Sequence, residues 1–262
     1  MSSSRPMHPS PTAKSRPVRA ARGAQAAPPK PPVGVLERGI AVLECFSADR
    51  LRLTLREFAE LTGLDKATLL RMLGVLANAR MVQRFESGEY TPGPALLHLG
   101  MLYRSSVDLG TRLQPVLRAV MQETGETVAF YVRSGSERVC LYREHTLSEM
   151  RPHVEPGTRL PLAAGGASAH ILLYFTGGKT ARADHIAEHG YVITRAERVP
   201  EMASIAVPVF DGDGSFAGSL VVMGLASRHS HKAQLAALGV VREQLALQGF
   251  SALPPPGWTP LR

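Results

Sequence analysis

The stretch LTLREFAELTGLDKATLLRMLGVLANARMVQRFESGEYTPG, residues 53–93, decides how the N-terminal part of the chain folds. Two short segments with helical apolar spacing flank a lone glycine, Gly63, and an alternating segment follows. Thr54 has the character of an N-cap, and Glu57 stands where its carboxylate can reach back to the cap amide. Leu55, Phe58, Ala59 and Thr62 then share one side of a helix. Gly63 takes the positive φ that ends a helix sharply without a steric penalty. Leu64 is predicted to pack inward. Asp65 caps a further helix through about Ala79, with Leu69, Met72, Leu73 and Leu76 as its apolar set. A short helix, a glycine turn and a second helix make the angled pair of a helix-turn-helix, and small Ala59 lets the two approach. The segment from Met81 to Gly93 alternates around Ser87-Gly88 and reads as a β-hairpin.

Upstream, VLERGIAVLECFS (35–47) places Leu36, Ile40, Leu43 and Phe46 at helical spacing. Three helices and a hairpin predict a winged helix-turn-helix over residues 33–93. The last helix keeps Lys66, Thr68 and Arg71 off its apolar side, near its start, where such helices reach base edges. Arg84 falls in the wing, placed for a phosphate. Two observations oppose a DNA-binding reading. Helix-glycine-helix pairs also occur in proteins that touch no nucleic acid, and residues 33–95 hold eight basic and eight acidic side chains.

The chain has 262 residues, 44% apolar, enough for two domains with real cores. No run of apolar residues is long enough to span a membrane, and nothing reads as a signal peptide, so a cytoplasmic protein is expected. Cys45 and Cys140 both sit in apolar surroundings and are expected to be buried, unpaired thiols. The net charge of +8 comes mostly from residues 1–32, where Arg5, Lys14, Arg16, Arg19, Arg22 and Lys30 face no acidic residue. That segment, rich in Pro, Ser and Ala, reads either as a solvated disordered tail or as a basic arm for nucleic acid.

Pro94 opens an apolar-periodic stretch broken near Gly110, which predicts a linker helix over 94–111 and then the first helix of a second domain, 112–250. TVAFYVRSGSERVCLYREH (127–145) reads as two strands about a Ser-Gly-Ser turn. AHILLYFT (169–176) is helical, and ASIAVPVFDGDGSFAGSLVVMGL (203–225) is a hairpin turning at residues 211–214. HKAQLAALGVVREQLALQGF (231–250) is a closing helix, and the Pro-rich residues 252–262 of the C-terminal tail (251–262) are expected to fray. The fold class is α+β in two domains.

With both halves in view, the chain resembles an IclR-family transcriptional regulator from about Val35 to Phe250. The resemblance rests on VLERGIAVLECF, LREFAELTGLDKATLLRMLGVL and MVQRFESGEYTPGPALLHLG in the first half, and on EPGTRLPLAAGGASAHILL and AVPVFDGDGSFAGSL in the second. It implies a winged helix-turn-helix, a linker helix and a GAF-like effector-binding domain. It also implies a homodimer, or a dimer of dimers, that binds palindromic double-stranded operator DNA and answers to a small metabolite. The family's recognition positions fall on Lys66, Thr68, Leu70 and Arg71. Ala67 replaces a small hydroxyl residue, and Leu70 replaces a side chain that is often polar; a leucine can meet a thymine methyl group. The effector positions fall on Gly166 and Ala167 in a Gly-rich loop and on Thr194, Ser204, Val221 and Met223 of neighbouring strands. Val221 and Met223 stand where hydroxyl groups are common, and Ser168-Ala169 replace the loop's usual Gly-Lys. A pocket with an apolar wall and few hydrogen-bonding groups is expected, suited to a larger aromatic or apolar ligand.

One motif argues for an enzyme. HIAEH (185–189) fits a zinc-protease pattern, with two histidines one helical turn apart. It lacks an evident third ligand and reads better as a solvated helix face. DGDGSFAG (211–218) is explained by a hairpin turn, and HSH (229–231) by a loop before a helix. No catalytic constellation, metal site or cofactor is expected. The rival reading is a small-molecule-binding or hydrolytic protein whose N-terminal helices serve only assembly. The resemblance favours a ligand-responsive regulator, in the first instance a repressor of a catabolic operon.

Overall fold

The computed structural model describes residues 34–47, 49–106, 109–146 and 154–259, with no account of the side chains of residues 104–106. The basic segment 1–32 lies outside the described residues. The chain divides into two compact units between Pro92 and Gly93.

The first unit holds α1 (Val35–Glu44), α2 (Leu55–Thr62), α3 (Lys66–Asn78) and the strands β1 (Val82–Arg84) and β2 (Tyr90–Pro92). Its helix boundaries follow from local chemistry. The Thr54 hydroxyl accepts from the Glu57 amide while the Glu57 carboxylate takes the Thr54 amide at 2.7 Å, a reciprocal capping box. Gly63 ends α2 at φ 69°. Asp65 caps α3, its carboxylate accepting from the Thr68 amide. β1 and β2 pair antiparallel, and Leu53 exchanges backbone hydrogen bonds with Tyr90, which ties the start of the helix-turn-helix to the wing. The core is Val42, Leu53, Phe58, Leu69, Leu73, Val82 and Tyr90, with Phe58 meeting both Phe46 and Tyr90 edge-on.

The apolar face of α1 needs correction. Leu36 and Ile40 are 77% and 48% exposed, whereas Val42 and Cys45 are buried. The buried residues of this ten-residue helix lie toward its end, at Val42 and, just past it, Cys45. The buried stripe therefore runs through Val42 and Cys45, with Leu43 and Phe46 packed at its margin.

The second unit begins with α4 (Pro94–Ser106) and α5 (Leu109–Thr124). Its sheet comprises β3 (Thr127–Ser134), β4 (Glu137–Glu144), β5 (Arg159–Pro161), β6 (Val192–Arg195), β7 (Met202–Phe210) and β8 (Phe216–Leu225), in the order β5-β4-β3-β8-β7-β6 and antiparallel throughout. A 3-10 turn at Leu162–Ala164 leads into α6 (Ala167–Phe175), followed by α7 (Ala183–His189), and α8 (His231–Leu247) closes the order.

Side-chain alternation sends Val128, Phe130, Leu220 and Val222 to one face, under α5 and α8, and Ala129, Tyr131, Val221 and Met223 to the other, under α6. Both faces are covered, so β3 and β8 read as nearly continuous apolar runs.

The boundary expected near Gly110 lies there, since α4 ends at Ser106 and α5 starts at Leu109, with Gly110 its second residue. A β-carbon at Gly110 would stand 2.7 Å from the Tyr142 hydroxyl, so the glycine serves a close approach. One expectation is overturned here. The segment after α8, expected to fray, is anchored. Ser251 pairs with Phe210 through the backbone, and Trp258 packs on Phe175, Tyr174 and Phe210. The backbone pair and the aromatic contacts of Trp258 outweigh what the prolines suggest.

Candidate nucleic-acid interface and ligand cavity

The opening turns of α3 place Lys66, Leu70 and Arg71 on its outer side, opposite Leu69 and Leu73, which the core takes up. Leu70 is 48% exposed, a large apolar side chain offered to solvent between two cations. Thr68 is half-buried and, with Arg71, borders a groove against Val35, Leu36 and Val75. Arg84 is exposed on β1, with its guanidinium 5.7 Å from the Tyr90 ring centre. A cation that motif reading missed, Arg52, stands 4.4 Å from the Phe85 ring, brought to the wing by the Leu53–Tyr90 pair.

Several acids of this unit have fixed partners of their own, away from Lys66, Arg71 and Arg84. Glu37, Glu57 and Asp65 each accept a backbone amide at a helix start, and Glu60 pairs with Arg56. The amide of Thr68 holds the Asp65 carboxyl below the usual range, and the Thr54 amide does the same for Glu57. Among the described residues no ion pair engages Lys66, Arg71 or Arg84.

In the second unit, register builds a cavity of about 60 Å³ beneath α6. Thr194 pairs with Ser204 and Ser204 with Met223, so one rung runs across β6, β7 and β8. The two hydroxyls lie 2.9 Å apart. Val221 lines the same face, and Gly166 and Ala167 close the cavity from the start of α6. All six residues expected from the motif positions thus surround one space.

The expectation of few hydrogen-bonding groups is corrected, because Tyr131, Arg138, Ser168, Glu197 and Arg198 also line the space. Arg138 is decisive. It is 2% exposed, donates from one Nη to the Gly165 carbonyl at 2.8 Å, and its buried Nε has no partner among the described residues. Burial lowers its pKa to about 10, which leaves it cationic at neutral pH. An inward-phase arginine on β4, sharing the face of Cys140, was a legible signal in the strand pattern. Glu197 and Arg198 lie between β6 and β7, where no periodicity marks a lining residue.

The motif that argued for an enzyme forms α7. His185 and His189 stack with ring centres 4.4 Å apart and planes 13° from parallel, and Tyr191 meets both edge-on. A metal lies in the plane of each imidazole that binds it, and such planes do not meet near the rings. Burial and the neighbouring His189 hold the His185 imidazole below its ordinary pKa.

The chain matches the IclR helix-turn-helix domain over residues 35–85 and the C-terminal domain of the bacterial transcriptional regulator IclR over residues 101–183. It is 25% identical to the HTH-type transcriptional regulator KipR of Bacillus subtilis, covering 73% of this chain and 86% of that one. It is 28% identical to the HTH-type transcriptional repressor AllR of Escherichia coli, over 74% and 80% of the two chains. Among solved structures, an IclR homolog from Microbacterium hydrocarbonoxydans complexed with 4-hydroxybenzoate shares the fold. Its TM-score is 0.66 at 19% identity, over 82% of this chain and all of that one.

Proposed function

The chain belongs to the IclR family of transcriptional regulators, and from that premise we propose that it is a dimeric, cytoplasmic, effector-controlled repressor rather than an enzyme. The carrying observation is the outer face of α3. Lys66 and Arg71 stand exposed around Leu70 while the nearby acids are occupied at helix starts. Two such helices on a symmetric dimer enter successive major grooves roughly 34 Å apart. Lys66 and Arg71 reach base edges or adjoining phosphates, Leu70 a thymine methyl group, and Thr68 a phosphate beside the groove. Arg84 and Arg52 hold the backbone beside the wing. AllR, a relative over most of both chains, is named as a repressor, which favours that direction of control.

The cavity is the effector site. Arg138 supplies a fixed positive charge, and Gly166 a backbone amide at the start of α6, so the effector is a carboxylic acid. Val221, Met223 and Leu160 take up its apolar body. At about 60 Å³ the space holds roughly four to six water-sized groups, the size of a compact acid. The Microbacterium homolog's ligand, 4-hydroxybenzoate, is also a carboxylate; an aromatic acid would enter this cavity only with movement of residues 195–201. An effector shifts operator affinity by its unequal binding to the competent and incompetent forms, with a coupling of about 1–3 kcal/mol.

A gel shift with the DNA upstream of the protein's own gene tests this reading. A retarded band that weakens steeply with salt is expected. Equal affinity for that DNA and for random duplex at every salt concentration would contradict it.

A further inference from the structure

The mouth of the cavity already carries a carboxylate. Glu197 Oε1 accepts from the Gly166 amide at 3.3 Å and lies 2.6 Å from His170 Nε2. The other ring nitrogen of His170 lies 2.7 Å from the Thr180 hydroxyl, which fixes the ring. Gly165 makes room for this contact, since a β-carbon there would stand 2.6 Å from the same Glu197 oxygen. The residue before Glu197, Ala196, holds a positive φ of 54°, a conformation that a non-glycine residue keeps only when its surroundings impose it. Beside Gly166 stands Arg138, buried, bonded to the Gly165 carbonyl and with Nε unpartnered among the described residues. Gly166 at the start of α6 and Arg138 together make a seat for an anion, and the chain's own side chain holds the Gly166 half of it.

Resting on the reading that this cavity takes a carboxylic acid, we propose that Glu197 is a built-in competitor for the effector. The acid bonds Arg138 and the Gly166 amide, displaces the Glu197 carboxylate and releases residues 196–201 from their latch on His170. Two carboxylates cannot share one amide without strong mutual repulsion, so the occupants exclude each other. The apparent affinity for an acid then falls by the fraction of time the seat is free. A latch closed nine-tenths of the time weakens binding about tenfold. Glu197 thereby sets the concentration at which the regulator responds, and its release gives binding a mechanical consequence at the edge of the sheet.

Calorimetry on the full chain with pyruvate and with benzoate tests this, as a compact and an aromatic monocarboxylate. Wild type is compared with Glu197→Gln, Glu197→Ala and Arg138→Met. Glu197 is partly exposed on a loop, so both its substitutions leave the folded core intact. Tightening of about tenfold for at least one acid in both Glu197 variants is expected, with binding lost in Arg138→Met. Unchanged or weaker binding in the Glu197 variants, with Arg138→Met still deficient, overturns the competitor and leaves the acid cavity standing. Failure of both acids to bind wild type and both Glu197 variants overturns the competitor and the acid reading together.

Discussion

The Asp65 carboxylate accepts the Thr68 backbone amide at 2.9 Å, so the helix that presents Lys66, Leu70 and Arg71 is started by an acid directly before the first of these cations. The contact satisfies an orphan amide and turns the charge of Asp65 toward the helix axis. A local capping rule and a DNA-binding face are thus served by adjacent residues.

Replacing Asp65 separates these roles. Asn caps as well as Asp but does not titrate, whereas Ala removes the cap. Asp65 is held below its ordinary pKa, so its contribution to stability is present above the unfolded carboxylate range near pH 4. It is lost as pH falls through the lower, folded value. Asp65→Asn is expected to melt like wild type at pH 7 and to lose stability less steeply in acid; Asp65→Ala melts lower at pH 7. Circular dichroism melts between pH 7 and pH 2 check both.

Gly63→Ala forces a side chain into the left-handed region at φ 69°. A loss of about 1–2 kcal/mol in chemical denaturation is expected, from the cost of that conformation alone.

Trp258→Ala removes a ring that packs within 4.7 Å, centre to centre, of Phe175 and near Phe210. Because the ring is half-buried, a loss of about 2 kcal/mol is expected in urea unfolding, below the range for a fully buried Trp. No change would show that the anchored C-terminal segment contributes nothing.

Arg138→Met keeps a long apolar side chain and deletes the buried charge. We expect it to bind operator like wild type and to lose the response to carboxylic acids. Operator release by pyruvate or benzoate, followed by gel shift, checks this. A response that survives would move the acid's anchor elsewhere.

Much of this was legible in the sequence, for identifiable reasons. Thr54, Glu57, Gly63 and Asp65 act over three or four residues, so their caps and turn could be read in isolation. The six cavity positions were located by resemblance, and the β6–β7–β8 register aligned three of them, Thr194, Ser204 and Met223. What escaped depended on distant partners. The exposure of Leu36 and Ile40 reflects how little of α1 the other helices cover. Gly110 answers to Tyr142, and Trp258 to Phe175, across the fold. Glu197 reaches His170 from a loop with no pattern of its own.

The most direct test of the central claim is a quantitative gel shift of Arg71→Ala against wild type on the upstream DNA, at several salt concentrations, with circular dichroism confirming the fold. The account predicts a loss of about 1–3 kcal/mol for each recognition helix, enough to abolish the shift at ordinary salt. It also predicts that acid binding measured by calorimetry stays unchanged. Wild-type operator affinity in Arg71→Ala would contradict the docking of α3 on which the account stands.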